Sequence, residues 1–267
     1  MRGLAEFPAA LARALRFVLT DIDDTLTDRG RLLTPAYGAL AALRQAGLKV
    51  VPLTGRPAGW CDLIARQWPV DAVVGENGAL YMRYIDAERR LVRRFWIAAH
   101  ERARMREKLA RLGERIVQAV PGAQLASDQH YRETDLAIDY AEDAGPLSAA
   151  AVAEIVAMFE AAGASAKVSS IHVNGWFGRW DKLAMTEILF REQYGVELTE
   201  ARDQVLFVGD SPNDQPLFAY FPNAVGVANV RRFLDRLRPP PAYVTAAPGG
   251  AGFAELAAFI LAARQGG

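Results

Sequence analysis

The run Phe17-Val18-Leu19-Thr20, followed at once by Asp21-Ile22-Asp23-Asp24, constrains this chain more than any other stretch. A short apolar run rich in strand-forming residues reads as a buried strand, and acids at its carboxyl end sit where an open α/β sheet presents its ligands. Asp21 and Asp23 are two apart, so on an extended backbone they lean to the same side while Asp24 points elsewhere. Two carboxylates held together raise one another's pKa, which a bound cation or a shared proton relieves. The cation is the leading expectation.

The chain around that strand repeats its logic. Met1 to Arg16 reads as a short amphipathic helix leading into it, and Thr34-Pro35 as the cap and first residue of a helix closed by Gly47. Leu48 to Leu53 is a second buried strand, ending in Thr54-Gly55-Arg56-Pro57. A helix over Ala58 to Gln67 leads to the strand Ala72 to Val74, which ends in Gly75-Glu76-Asn77-Gly78. Strands that each finish in a polar or glycine-containing turn are the pattern of a parallel sheet with a functional edge.

The rhythm then changes. Ala79 to Tyr84 and Leu91 to Trp96 read as a hairpin, its Arg89 to Arg94 edge blunted by four arginines, and Ala98 to Val120 as a long charged helix. Strands over Gln124 to Ser127, Asp135 to Tyr140 and Ala166 to Val173, with a helix over Pro146 to Ala162, complete an α+β module. From about Asp181 the α/β pattern returns: a helix over Leu183 to Tyr194, a strand over Gln204 to Val208, the acidic turn Gly209-Asp210-Ser211-Pro212-Asn213-Asp214, short strands at Asn223 to Val227 and Ala242 to Thr245, and a closing helix. The expected architecture is an α/β fold: a Rossmann-like doubly wound parallel sheet core, residues 1–84 and 178–267, interrupted by an inserted α+β cap, residues 85–177.

Bulk properties exclude several function classes. Lys plus Arg and Asp plus Glu each number 31, so no general electrostatic grip on nucleic acid or an anionic membrane is expected. The single cysteine, Cys61, rules out a disulfide framework or a cysteine-rich metal site and reads as a structural bystander. With no apolar window long enough to span a membrane and no secretory pattern at the start, the expectation is a soluble, cytoplasmic protein, a monomer or a small homo-oligomer.

Four turns carry the chemistry: Asp21 with Asp23, Thr54, Lys182, and Asp210 with Asp214. In a parallel sheet the three strand-end turns converge at one edge, and Lys182 opens the helix after the insertion. A phosphate ester is a dianion, so an anionic nucleophile reaches it only where a cation neutralises the site. Mg2+ suits carboxylate and phosphate oxygens, Lys182 supplies a point charge, and Thr54 a hydroxyl donor. Taken singly, each acid has an ordinary reading as a turn former or cap, Thr54-Gly55 as a plain turn, and Lys182 as a solvated lysine. Asp214 and Asn213 serve equally as a cap for the following helix.

Asp-x-Asp-x-Thr at 21–25, Leu-Thr-Gly-Arg at 53–56, Asp181-Lys182 and Gly-Asp-x-x-Asn-Asp at 209–214 resemble, in order, the four motifs of the haloacid dehalogenase (HAD) superfamily. The insertion between Thr54 and Lys182 resembles the type C2 cap, and its β-rich makeup the C2B branch, the sugar-phosphatase and Cof-like group. The resemblance implies a phosphatase acting on a small phosphorylated metabolite such as a sugar phosphate. Asp21 would be the nucleophile, forming an aspartyl-phosphate, and Asp23 the general acid and base. Mg2+ would be held by Asp21, the Asp23 carbonyl and Asp210, supported by Asn213 and Asp214, with Thr54 and Lys182 on the phosphoryl oxygens. Gly55 belongs to the phosphate-binding turn. Asn77, in a segment resembling the family's Glu-Asn-Gly, is a candidate substrate contact or a turn residue, and Arg56 a candidate anion contact or a loop cap. His130, Arg132, His172, Asn174 and Trp176 are candidate cap contacts, with ordinary packing the preferred reading. A phosphomutase using the same intermediate, and a phospho-acceptor signalling module, are the alternatives. The large insertion argues against the signalling module, because a cap selects substrate and excludes water.

Overall fold

Alternate residues of the Phe17–Thr20 strand face two different cores, Val18 one and Phe17 with Leu19 the other, so the strand needs cover on both sides. The computed structural model describes residues 1–265 and supplies that cover. In chain order the first stretch holds β1 (Arg2–Gly3), α1 (Ala9–Ala14), β2 (Phe17–Thr20), β3 (Thr27–Asp28), β4 (Arg31–Leu32), α2 (Thr34–Gln45), β5 (Lys49–Pro52), α3 (Ala58–Gln67), β6 (Val73–Gly75), β7 (Leu80–Ile85) and β8 (Arg90–Phe95). The middle holds α4 (Ala99–Ala119), β9 (Gln124–Leu125), β10 (Leu136–Asp139), α5 (Ala149–Ala161), β11 (Ser165–Val168) and β12 (His172–Trp176). The last stretch holds α6 (Lys182–Leu189), α7 (Leu198–Ala201), β13 (Val205–Gly209), α8 (Gln215–Tyr220), β14 (Asn223–Gly226), β15 (Tyr243–Val244) and α9 (Gly249–Gln265).

The main sheet runs β1-β15-β14-β13-β2-β5, and every pairing in it is parallel. A parallel bridge from Leu53 to Val74 extends it towards β6. Leu40 and Leu43 of α2, Ile64 of α3 and Leu256 and Ile260 of α9 pack with Val18 and Val50 on one face. Met185 and Leu189 of α6 and Leu217 and Phe218 of α8 pack with Phe17, Leu19 and Val51 on the other. The fold is therefore α/β and doubly wound. From β2 the chain moves to β5 on one side and later to β13 on the other, which makes the end of β2 a topological switch point where an open sheet leaves a crevice.

The middle segment makes a second layer with a core of its own. Its antiparallel sheet runs β11-β12-β10-β9, and Leu109, Leu112 and Ile116 of α4 pack with Ile155 and Phe159 of α5 against Leu136, Ile138 and Val173. Asn174 pairs in register with Ala137 and Lys167, so these three stand on the face away from the helices. That face roofs the carboxyl ends of β2, β5 and β13.

Two differences from the sequence reading have local causes. Residues 166–173 form a hairpin rather than one strand, because Ser169 Oγ accepts the backbone N–H groups of Ile171 and His172 and folds the chain back. The first residues hold β1, paired with β15, before the short helix α1 begins. Hairpin β7–β8 packs on the core: Leu80, Met82, Leu91 and Phe95 join one cluster and Tyr81, Val92 and Trp96 the other. The 84/85 boundary falls within this hairpin, and we place the junctions after Phe95 and between Trp176 and Asp181.

Candidate active site

Each element that reaches the crevice arrives with its end locally fixed. Asp21 N–H still donates to Val208 O (2.9 Å), so Asp21 is the last residue tied to the ladder. Beyond it the chain curls around one carbonyl: Ile22 O accepts the N–H of Leu26 and Thr27 and the Thr27 hydroxyl. Thr25 Oγ1 donates to Asp210 Oδ1 (3.5 Å), which joins this turn to the one after β13.

The turn after β13 is held by its own last residue. Asp214 Oδ2 accepts the N–H of Asp210 (3.1 Å) and of Ser211 (3.4 Å). Gly209 is needed there because a Cβ would strike the Asp214 carboxylate. Lys182 opens α6, whose cap Asp181 accepts the Ala184 N–H at 2.8 Å. Its ammonium lies 2.6 Å from Asp21 Oδ1 and 3.4 Å from Asp214 Oδ1. Burial alone would lower the Lys182 pKa, but Asp21 and Asp214 outweigh it and hold it above its usual value.

Asp21, Asp210 and Asp214 are all buried, each with an oxygen within 4.8 Å of the others. Burial raises Asp21 to about 7, opposed by Lys182 and reinforced by Asp214 and Asp23. Burial, then Asp214 and Asp21, push Asp210 up to about 9. Ionised together, three buried carboxylates against one ammonium would leave surplus negative charge, and an all-oxygen donor set of that kind suits a hard divalent cation. Asp214 already spends both oxygens on Lys182 and two backbone N–H groups, so its visible work is to hold the Asp210 turn and Lys182.

Asp23 sits apart from that cluster. Arg56 donates to both of its oxygens at 2.9 to 3.1 Å, and reaches Glu142 of the middle layer at 3.0 Å. The Arg56 guanidinium also stacks over Trp60 (4.6 Å). Arg56 thus ties the loop after β2 to the roof. Thr54 is fully buried, and its Oγ1 accepts the Arg56 N–H (3.0 Å), leaving its hydroxyl proton to donate elsewhere. Cys61 is buried with its thiol pushed up by burial, which keeps it inert.

The turn after β6 has three successive residues at positive φ, strained at Glu76 (φ 45°) and Asn77 (φ 55°) and accommodated by glycine at Gly78 (φ 103°). Asn77 is 6% exposed and its Nδ2 has no hydrogen-bond partner, while Gly55 packs against its amide. Glu76 has the opposite character. Its carboxylate accepts the N–H of Ala58, Glu133 and Thr134 and the Thr134 hydroxyl, clamping the core turn to the roof. Arg132 adds a bond to Gly55 O (2.9 Å) and pairs with Asp128 and Asp135. Asn174 donates to Asp135 at 3.1 Å.

A cavity of about 430 Å³ opens where the layers meet. Asp21, Asp23, Asp210, Asn213, Gly55, Arg56 and Asn77 line it from the core; Arg132, His172 and Asn174 line it from the roof. Lys182 with Trp176 borders a smaller adjoining hollow, and Thr54 and Asp214 lie behind the walls. His130 is not among the lining residues and stacks on Tyr131. Glu142 and the segment after β14, which brings Asn229, Arg232, Phe233 and Arg236 to the cavity, have no motif that flags them in the sequence. Glu76 had one, its place beside the Asn-Gly turn, although its partners could not be read.

No protein-family model matches the chain. A phosphoglycolate phosphatase from Methanoculleus marisnigri is 35% identical over 71 residues, 26% of this chain and 30% of that protein. The chain spans about 30% of the length of the curated relatives it matches. Among solved structures, Thermoplasma acidophilum 0175 superposes with a TM-score of 0.71 at 20% identity, covering 92% of this chain and 98% of that one. A HAD/COF-like hydrolase from Plasmodium vivax gives 0.67 at 16% identity, covering 96% and 99%.

Proposed function

We propose that this chain, whose fold is that of the haloacid dehalogenase-like hydrolases, is a Mg2+-dependent phosphatase of a small phosphate monoester, a sugar phosphate or a related metabolite. The observation that carries the reading is the buried cluster of Asp21, Lys182, Asp210 and Asp214 at a cavity of small-molecule size. The similarity to a phosphoglycolate phosphatase supports it.

In this reading Asp21 and Asp210, with the Asp23 backbone carbonyl, Asn213 and Asp214 in support, hold the metal. Bound there, a divalent cation supplies the positive charge that lets a dianionic ester approach an anionic nucleophile. Lys182 and Thr54 bind the phosphoryl oxygens, together with the Gly55 turn and the unpartnered Nδ2 of Asn77. Asp21 attacks phosphorus: a bond forms from its carboxylate oxygen as the ester P–O bond breaks, and the leaving alcohol takes a proton from Asp23. Asp23 then removes a proton from water, which attacks the aspartyl-phosphate and returns Asp21 with release of inorganic phosphate. For Asp23 to reach a leaving group its ion pair with Arg56 must open, which links the proton step to the contact between Arg56 and the cap residue Glu142. The cap excludes water while the intermediate forms.

The same reading makes the protein a soluble cytoplasmic enzyme, a monomer or small homo-oligomer, without a nucleic-acid partner; among the described residues no helix is long and apolar enough to cross a membrane. The test is phosphate release from p-nitrophenyl phosphate and a panel of phosphorylated sugars, glycerates and nucleotides, with Mg2+ and with a chelator. Release that needs the metal is expected. Absence of release from every ester would contradict the proposal.

A further inference from the structure

Outside the Asp21, Asp210 and Asp214 cluster, whose surplus negative charge suits a cation, the charges around the cavity are mostly matched within the protein. Asp21 faces Lys182, Asp23 faces Arg56, Arg56 also meets Glu142, and Arg132 is held by Asp128 and Asp135. Three cations of the lining are left over. Lys167 stands on the sheet face of the cap that roofs the site, and its Nζ donates only to the backbone carbonyl of Asn213, at 3.3 Å. Arg232 and Arg236 come from the core segment after β14, and Arg236 has only the ring of Phe233 for company. Among the described residues none of the three makes an ion pair. Asp24 is on the same wall near Arg232 without pairing with it, so these three cations face one carboxylate that is not otherwise matched.

Lys167 is half-buried and has lost part of its hydration, with Lys182 as a like-charged neighbour and only the more distant Asp214 and Asp181 to offset it. Arg232 and Arg236 are exposed and solvated, so Lys167 is the cation that gains most from an anion between the roof and this wall. The transferred phosphoryl group already has Lys182, Thr54 and the metal position at the inner end. We propose that Lys167, Arg232 and Arg236 receive a second anionic group, carried on the leaving alcohol of the substrate, so that the preferred ester bears a carboxylate or a second phosphoryl group. This rests on the phosphatase reading and narrows it. Guanidinium groups bind either anion through paired N–H donors, and Lys167 adds a point charge from the other domain. Because the three cations come from cap and core, the same anion also holds the two layers together.

The test compares two esters that differ only in that group, 2-phosphoglycolate and 2-hydroxyethyl phosphate, with ethane-1,2-diol bisphosphate as a third arm that separates carboxylate from phosphoryl preference. Wild-type protein should show a kcat/KM for one of the two esters with a second anionic group at least about tenfold above that for the hydroxyl ester. Lys167→Met and, separately, Arg232→Met should each reduce that ratio at least about fivefold, chiefly through KM, and Lys167→Arg should restore most of it. Arg232 is exposed, so its variant keeps the test independent of folding. Equal kcat/KM for all three esters in the wild type, or an unchanged ratio in both Met variants, overturns the proposal. An equal fall for every ester in Lys167→Met would assign that lysine to the transferred phosphoryl group and overturn it as well. Equilibrium binding of the same three compounds to Asp21→Asn protein reads the anion preference without turnover. Tighter binding of a second-anion ester that Arg232→Met abolishes supports the receptor even if hydrolysis fails, and equal binding of all three contradicts it.

Discussion

Asp21 and Asp210 end neighbouring strands with their carboxylates buried; burial, opposed by Lys182 and reinforced by Asp214 and other carboxylates, lifts them to about 7 and about 9. An acid whose pKa is raised on folding keeps its proton after the unfolded chain has released its own. Its contribution to stability is therefore complete below about pH 4, the unfolded value, and is lost as pH climbs towards the folded value. Between about pH 4 and 9 the metal-free protein should lose stability at this site with rising pH, and saturating Mg2+ should reverse much of that loss at the upper end. Urea denaturation across this range, with and without Mg2+, measures it, and Asp210→Asn should remove most of the metal effect. A stability profile indifferent to Mg2+ at every pH would count against a cation at these carboxylates. Both residues were legible in the sequence because each stands directly after an apolar strand. The division of labour was not: Asp214 reads like a third ligand, yet its oxygens are spent on Lys182 and the turn it closes.

At the scale of elements, α6 and the turn after β6 are fitted to each other through a missing side chain. Gly78 has φ 103°, and a Cβ there would collide with the carbonyl of Asp181 and the backbone nitrogen of Lys182. Gly78→Ala should therefore strain the turn, push back the start of α6 and withdraw the Lys182 ammonium from Asp21. The expected cost is about 2 kcal/mol or more in stability, with kcat down at least about tenfold, measured by denaturation and steady-state kinetics. A variant with wild-type kcat would show that the close approach does not position Lys182. The Asn-Gly turn was visible in the sequence, whereas the element it touches is more than a hundred residues away. Elements with strong periodicity, such as α3 and α4, were read within a residue or two. The β11–β12 turn was missed because it is made by Ser169 rather than by glycine, proline or asparagine.

The whole molecule is two layers facing each other across charged contacts. Arg56 to Glu142, Arg132 to the Gly55 carbonyl, and Glu76 to Glu133 and Thr134 join residues 86, 77, 57 and 58 positions apart. No local pattern encodes such pairs, which is why the contacts that tie the cap to the core could not be read from the sequence. Burial and Asp135 raise Glu76 to about 7 although four donors from both layers favour its charged form, so this clamp stores an unfavourable charge burial that the donors offset. On the proposed function, catalysis lies in the core and discrimination at the junction. The central claim is that Asp21 accepts the phosphoryl group. The most direct measurement is the rate of phosphate release from p-nitrophenyl phosphate in the presence of Mg2+ by wild-type protein and by Asp21→Asn folded to the same extent. A loss of at least about a thousandfold in kcat is expected. Turnover by Asp21→Asn at the wild-type rate would contradict it.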